Sequence, residues 1–102
     1  MKTLIAVTAV AALATLSGVA SADQALAQKN ACMSCHGVDK KIVGPAFKEV
    51  AAKYKGDAGA EAKLFLKVKN GSKGVWGQIP MPPNPQVKDE DLHKILKWIL
   101  SL

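Results

Sequence analysis

The sequence contains no arginine; all fourteen of its basic residues are lysine. Aromatic residues make up only 5%, and there is no sustained interleaving of aromatic with basic residues. Both absences weigh against nucleic-acid recognition. Only two cysteines are present, which excludes a framework of several disulfides. After one apolar run near the start there is no second. Strand-like alternation, internal repeats and low-complexity tails are also missing. What remains is a pattern of short helices in a single domain.

The apolar run belongs to residues 1–22. Lys2 gives a short basic start, Leu4 to Ala20 is apolar with a few small polar residues, and Ala20-Ser21-Ala22 is a small-x-small cleavage site. These features predict a secretory signal peptide cut after Ala22 and an exported mature protein. An uncleaved membrane anchor fits less well, because the cleavage site and a polar helix start follow the run. Residues 23–102 then form the mature domain, 80 of the 102 residues, and it is not expected to be membrane-embedded. A chain that short buries a small core and usually needs a staple. Without Lys2 it carries thirteen lysines against eight acids, a formal charge of +5. That balance favours acidic partner surfaces and salt-sensitive encounters.

The staple is written at Cys32-Met33-Ser34-Cys35-His36. Two cysteines two residues apart, followed directly by histidine, form the attachment pattern of a c-type haem. Each thiol can make a thioether to the porphyrin, and the imidazole of His36 can bind the iron. One covalent haem c is therefore the expected cofactor.

Around it the periodicity predicts four helices. Residues Asp23 to Ala31 form the first, with Asp23 as a cap and Leu26 on the apolar side. Phe47 to Tyr54 follows the bend at Val43-Gly44-Pro45-Ala46, with Phe47, Val50, Ala51 and Tyr54 at helical spacing and Gly56 as its stop. Ala58 to Asn70 is next, closed by Asn70-Gly71. Asp89 to Leu102 carries Leu92, Ile95, Leu96, Ile99 and Leu102 on one face and three acids in its first turn. Between the last two, Gly71 to Lys88 is rich in glycine and proline. Its apolar anchors Trp76, Ile79 and Met81 predict an ordered, functional loop.

The second axial position could be taken by Met33, Met81, His93, a lysine or water, or be left open. Met33 lies between the attachment cysteines and cannot reach the other face of the ring. His93 sits on a polar helix face, where a lone histidine is usually solvated. A lysine would have to lose its proton. Met81 stands in Ile79-Pro80-Met81-Pro82-Pro83-Asn84, where the prolines restrict a flexible thioether, and is favoured.

Taken in order, Cys32–His36, Val43-Gly44-Pro45-Ala46, Asn70-Gly71-Ser72, Gly74-Val75-Trp76-Gly77 and Ile79–Asn84 resemble the small bacterial class I cytochromes c of the c-551/c-552 type, through to Trp98-Ile99-Leu100. The resemblance covers essentially all of the mature chain. It implies an all-α fold of four to five short helices wrapped around one haem, with Cys32 and Cys35 as attachment points and His36 and Met81 on the iron. It further implies that the Pro45 carbonyl accepts a hydrogen bond from the proximal imidazole. Trp76 and Lys67 would face the haem propionates, and Asn84 would lie near the methionine sulfur. Three positions depart from the family pattern. Ala31 replaces a common glycine, suggesting a wider contact between the terminal helices. Pro85-Gln86 adds one residue, and Lys88 replaces a serine cap, leaving Asp89 as its substitute.

Three functions compete at this point. A soluble, monomeric one-electron carrier of respiratory electron transport needs both axial positions filled by protein. Its donors would be a quinol-oxidising complex or other cytochromes; its acceptors would be a terminal oxidase, a nitrite reductase or a peroxidase. An enzyme or gas sensor would need an open iron and a distal acid–base group, which nothing in the sequence supplies. A thiol redox or zinc protein would use Cys32 and Cys35 without haem, but the strand that normally precedes such a motif is absent.

Overall fold

The attachment segment Cys32–His36 lies between the first two helices of the fold. In the computed structural model, which describes residues 23–102, helix α1 occupies residues 23–29. The leader and its cleavage point after Ala22 lie outside the described residues. Asp23 is itself helical, so it does not act as the cap. The helix stops earlier than expected because Asn30 folds back, its Nδ2 donating to the Leu26 carbonyl at 2.9 Å. Ala31 then adopts a left-handed conformation (φ 62°, ψ 14°), the usual geometry just past a helix C-terminus.

A single 3₁₀ turn, Cys32–Ser34, follows. The bend after it leads into α2, Phe47–Lys53. No side chain caps α2, and its first amides are satisfied by the attachment loop instead: Phe47 N–H donates to Gly37 O at 2.9 Å and Lys48 N–H to Val38 O at 3.1 Å. Loop and helix are thereby one unit.

Helix α3 runs Ala60–Asn70, starting two residues later than the periodicity suggests. Asp57 Oδ1 accepts the Gly59 N–H at 2.8 Å, and this local turn holds residues 58 and 59 out of the helix. Helix α4 is Asp89–Leu100, ended by Ser101, whose Oγ donates to the Trp98 carbonyl at 2.6 Å. Its N-cap is Lys88, in extended geometry with no side-chain bond. Asp89 is the first helical residue and so is not the substitute cap; its carboxylate faces Lys69 at 2.8 Å.

α4 packs against both α2 and α3. One core joins all four helices: Ala27 from α1, Phe47 and Val50 from α2, Leu64 from α3, and Leu92, Ile95, Leu96, Trp98 and Ile99 from α4. Ala27 is wholly buried, its small side chain letting α1 come close. The Phe47 and Trp98 rings meet edge to face at 5.6 Å. The described residues contain no strand, only two isolated bridges, His36 with Lys41 and Ser72 with Met81. The fold is all-α, as expected, and both bridges flank the site. Among the described residues no helix is long and apolar enough to cross a membrane.

Candidate functional site

In a 3₁₀ turn, side chains three residues apart stand on the same side. Cys32 and Cys35 have that spacing. The turn is held by Cys35 N–H to Cys32 O at 3.3 Å and His36 N–H to Cys32 O at 3.1 Å. Burial pushes the pKa of the free Cys32 thiol up from its ordinary value. The next residue, His36, is directed by its own contacts.

His36 is fixed from three sides. Its Nδ1 lies 2.7 Å from the Pro45 carbonyl oxygen. A carbonyl can only accept, so Nδ1 carries the hydrogen and the neutral ring keeps its free lone pair on Nε2. The Phe47 ring stacks on the imidazole at 4.9 Å with 20° between planes. On another side is Gly44, where an added Cβ would fall 2.6 Å from His36 Cε1. Gly44 itself is pinned by its N–H to Cys35 O at 2.8 Å. Any side chain at 44 would push the imidazole away.

Met81 is held by backbone. Ser72 and Met81 exchange two hydrogen bonds, at 3.0 and 2.8 Å, which close residues 72–81 into a ring. Gly71 makes this possible: its φ is 80°, and a Cβ there would come within 2.9 Å of the Met81 carbonyl oxygen. Beyond Met81, the Asn84 N–H donates to Val68 O at 2.8 Å and returns the chain to α3. The Asn84 side chain serves the same turn, with Nδ2 donating to Pro82 O at 2.9 Å.

A cleft of about 350 Å³ opens between these parts. Cys32, Cys35, His36, Pro45, Lys67, Trp76, Met81 and Asn84 all line it, so the eight residues singled out in the sequence meet at one place. Its walls are the inward faces of α2, α3 and α4, including Phe47, Val50, Leu64, Ile95 and Ile99; core and cleft wall are the same side chains. Met33 and His93 are not among the lining residues. Met33 packs against the core, and exposed His93 pairs through Nδ1 with Glu61 at 2.9 Å while stacking on Phe65.

Sequence reasoning missed three contributors. Phe47 was expected only as core, and its stacking on the imidazole needs the bend at residues 43–46 to be folded. Gly44 was read as part of that bend, without its contact to the ring; a glycine just before a proline near the attachment motif was the available signal. Lys53, with its ammonium 5.1 Å from the Trp76 ring centroid, carried no signal at all.

The chemistry of the donor set fits a haem: two thiols on one side of a turn, an imidazole with its Nε2 free, a thioether in a restrained loop, and apolar walls. The sequence profile of the cytochrome c family matches residues 20–102. Cytochrome c-552 of Nitrosomonas europaea is 50% identical over 102 residues, spanning 100% of this chain and 99% of that protein. Cytochrome c-551 of Pseudomonas aeruginosa is 54% identical over 78 residues, 76% of this chain and 74% of the other. The crystal structure of wild-type Nitrosomonas europaea cytochrome c552 superposes with a TM-score of 0.75 at 53% identity, covering 78% of this chain and 98% of that one. With fold, sequence and donor set in agreement, this chain belongs to the cytochrome c family.

Proposed function

We propose that the protein is a periplasmic monohaem electron carrier whose iron is ligated by His36 and Met81, with Cys32 and Cys35 as the two thioether positions. As a cytochrome c it carries covalently bound haem c. When bound, that group supplies a one-electron Fe(II)/Fe(III) couple. The protein's part is positional. The Cys32–Ser34 turn presents both thiols to one side. Pro45 holds the proton on His36 Nδ1 and so leaves Nε2 free to bind. Gly44 and Phe47 set the plane of the ring, and the Ser72–Met81 pair delivers the thioether. Lys67 and Trp76 are assigned to the propionates, and Asn84 to the neighbourhood of the sulfur.

The observation that carries this reading is that His36 and Met81, 45 positions apart, line the same apolar cleft. A filled coordination sphere leaves no place for substrate, so we assign transfer and not catalysis. His93, the other histidine, is engaged with Glu61 away from the cleft and is no distal acid–base group. Histidine–methionine ligation favours ferrous iron and raises the potential.

The partners assigned are redox proteins with acidic docking surfaces. A quinol-oxidising complex or other cytochromes would donate; a terminal oxidase, nitrite reductase or peroxidase would accept. Residues 1–22 are assigned as the export signal, which N-terminal sequencing of the mature protein would check.

A redox titration with absorption spectra tests the central claim. The expected result is a low-spin ferric spectrum with the methionine-to-iron charge-transfer band, absent in Met81→Ala, together with a lower potential in that variant. A high-spin wild-type spectrum that changes at once with cyanide would overturn it.

A further inference from the structure

The return limb of the Met81 loop is poor in hydrogen-bond donors. Pro82, Pro83 and Pro85 have no N–H, so little backbone is available to fasten residues 82–88 to the rest of the fold. A side chain makes up the deficit. Lys69, in the last turn of α3, donates from Nζ to the Val87 carbonyl and pairs with Asp89 Oδ1 at 2.8 Å. Its ammonium also lies 5.8 Å from the centroid of the Phe65 ring. The Lys69 side chain is only 18% exposed, against 55–58% for the ion-paired lysines 48, 63 and 94. Those three are surface pairs of little consequence. Lys69 is an enclosed cationic donor with partners in its own helix, in the loop and at the start of α4, and a bond of that kind is worth more.

Its position matters more than its strength. Val87 is buried at 2% exposure and is the last apolar anchor before α4. Asn84 N–H is already tied to Val68, one residue before Lys69. The two attachments grip the limb at residues 84 and 87, both from the same turn of α3. Met81 is thus fixed by its own pairing with Ser72 and, just after it in the chain, by this grip.

We infer that Lys69 is a positioning residue for Met81: seated between the Val87 carbonyl and the Asp89 carboxylate, it clamps the return limb to α3 and slows withdrawal of the thioether from the iron. The inference rests on the reading of Met81 as the axial ligand. It assigns Lys69 no contact with the haem.

The test is ligand entry into the ferric holoprotein. Imidazole is added at saturating concentration, and loss of the methionine-to-iron band is followed in stopped flow; the limiting rate then reports how often the loop opens. Lys69→Met is expected to raise that rate about tenfold or more, the usual weight of a hydrogen bond to a charged group. Lys69→Arg, which keeps a cationic donor, should remain closer to wild type, and Asp89→Asn should fall between. His93→Gln replaces the ionisable partner of Glu61, the other polar side-chain pairing of α4 with α3, by a neutral amide without touching the loop, and should leave the rate unchanged. The proposal is overturned if Lys69→Met opens at the wild-type rate, if Lys69→Arg is as fast as Lys69→Met, or if His93→Gln accelerates opening equally. Should Lys69→Met give no folded holoprotein, Asp89→Asn decides, and an unchanged rate there overturns the clamp. Failure of the ligand reading is a separate outcome: the band would then survive in Met81→Ala.

Discussion

Ala31 holds the one left-handed backbone among the non-glycine residues described, at φ 62°. The family resemblance explained a glycine here by helix contact, but Ala31 is exposed and its cost lies in the backbone. An L-residue in that region loses about 1–2 kcal/mol against glycine, partly offset by glycine's greater freedom when unfolded. Ala31→Gly is therefore expected to stabilise the holoprotein by about 0.5–1 kcal/mol, measured as a rise in the guanidinium midpoint. An unchanged or lower midpoint would contradict this account. The same residue shows where reading a sequence stops. The cysteine pair, His36 and the proline-flanked Met81 were legible because their chemistry is carried by residue type and spacing. The torsion of Ala31 and the contact of Gly44 with the imidazole were not, since both arise only when the chain closes on itself.

At the scale of elements, periodicity located all four helices and erred at their ends. Three of the errors trace to a local polar contact that outweighs apolar spacing: Asn30 on Leu26 for α1, Asp57 on Gly59 for α3, Ser101 on Trp98 for α4. The start of α3 also carries a pH signature. The Lys63 ammonium, followed by the Gly59 N–H, holds the Asp57 carboxyl below its ordinary 3.8. A carboxyl lowered on folding stabilises the fold fully above its unfolded value, and that contribution is lost as pH falls through the folded one. Asp57→Asn should therefore lower the melting temperature slightly at neutral pH, with the gap to wild type closing below pH 3.8. A gap that persists in acid would assign the effect to packing. Exposure of the pair keeps the change small. The Lys69 clamp went unread for a related reason: lysine on a helix surface is ordinarily solvent-facing, and only the folded path of residues 82–88 turns it inward.

For the molecule as a whole, lysine without arginine is the main electrostatic fact. A formal charge of +5 over residues 23–102, carried on flexible ammonium groups, favours brief encounters steered over distance and not tight, forked ion pairs. Electron transfer to an acidic partner should accordingly slow by about tenfold or more between low and physiological ionic strength, as screening shortens to about 8 Å. Stopped-flow rates across a salt series check this, and a flat or rising dependence would point to apolar docking. The all-α architecture was legible because apolar positions recur at helical spacing and nothing alternates. That the core doubles as the cleft wall was not, because no pattern in the sequence distinguishes a side chain facing another side chain from one facing a cofactor.

The ring closed by Ser72 and Met81 divides its loop into a fastened base and a largely exposed arc, residues 73–80. All of residues 73–80 also line the cleft, and Gly74 and Gly77 hold positive φ, 80° and 107°. The arc is therefore cleft wall and outer surface at once: substitutions at its two glycines are strained, and any change of its outer contour also reshapes the wall that faces the cleft.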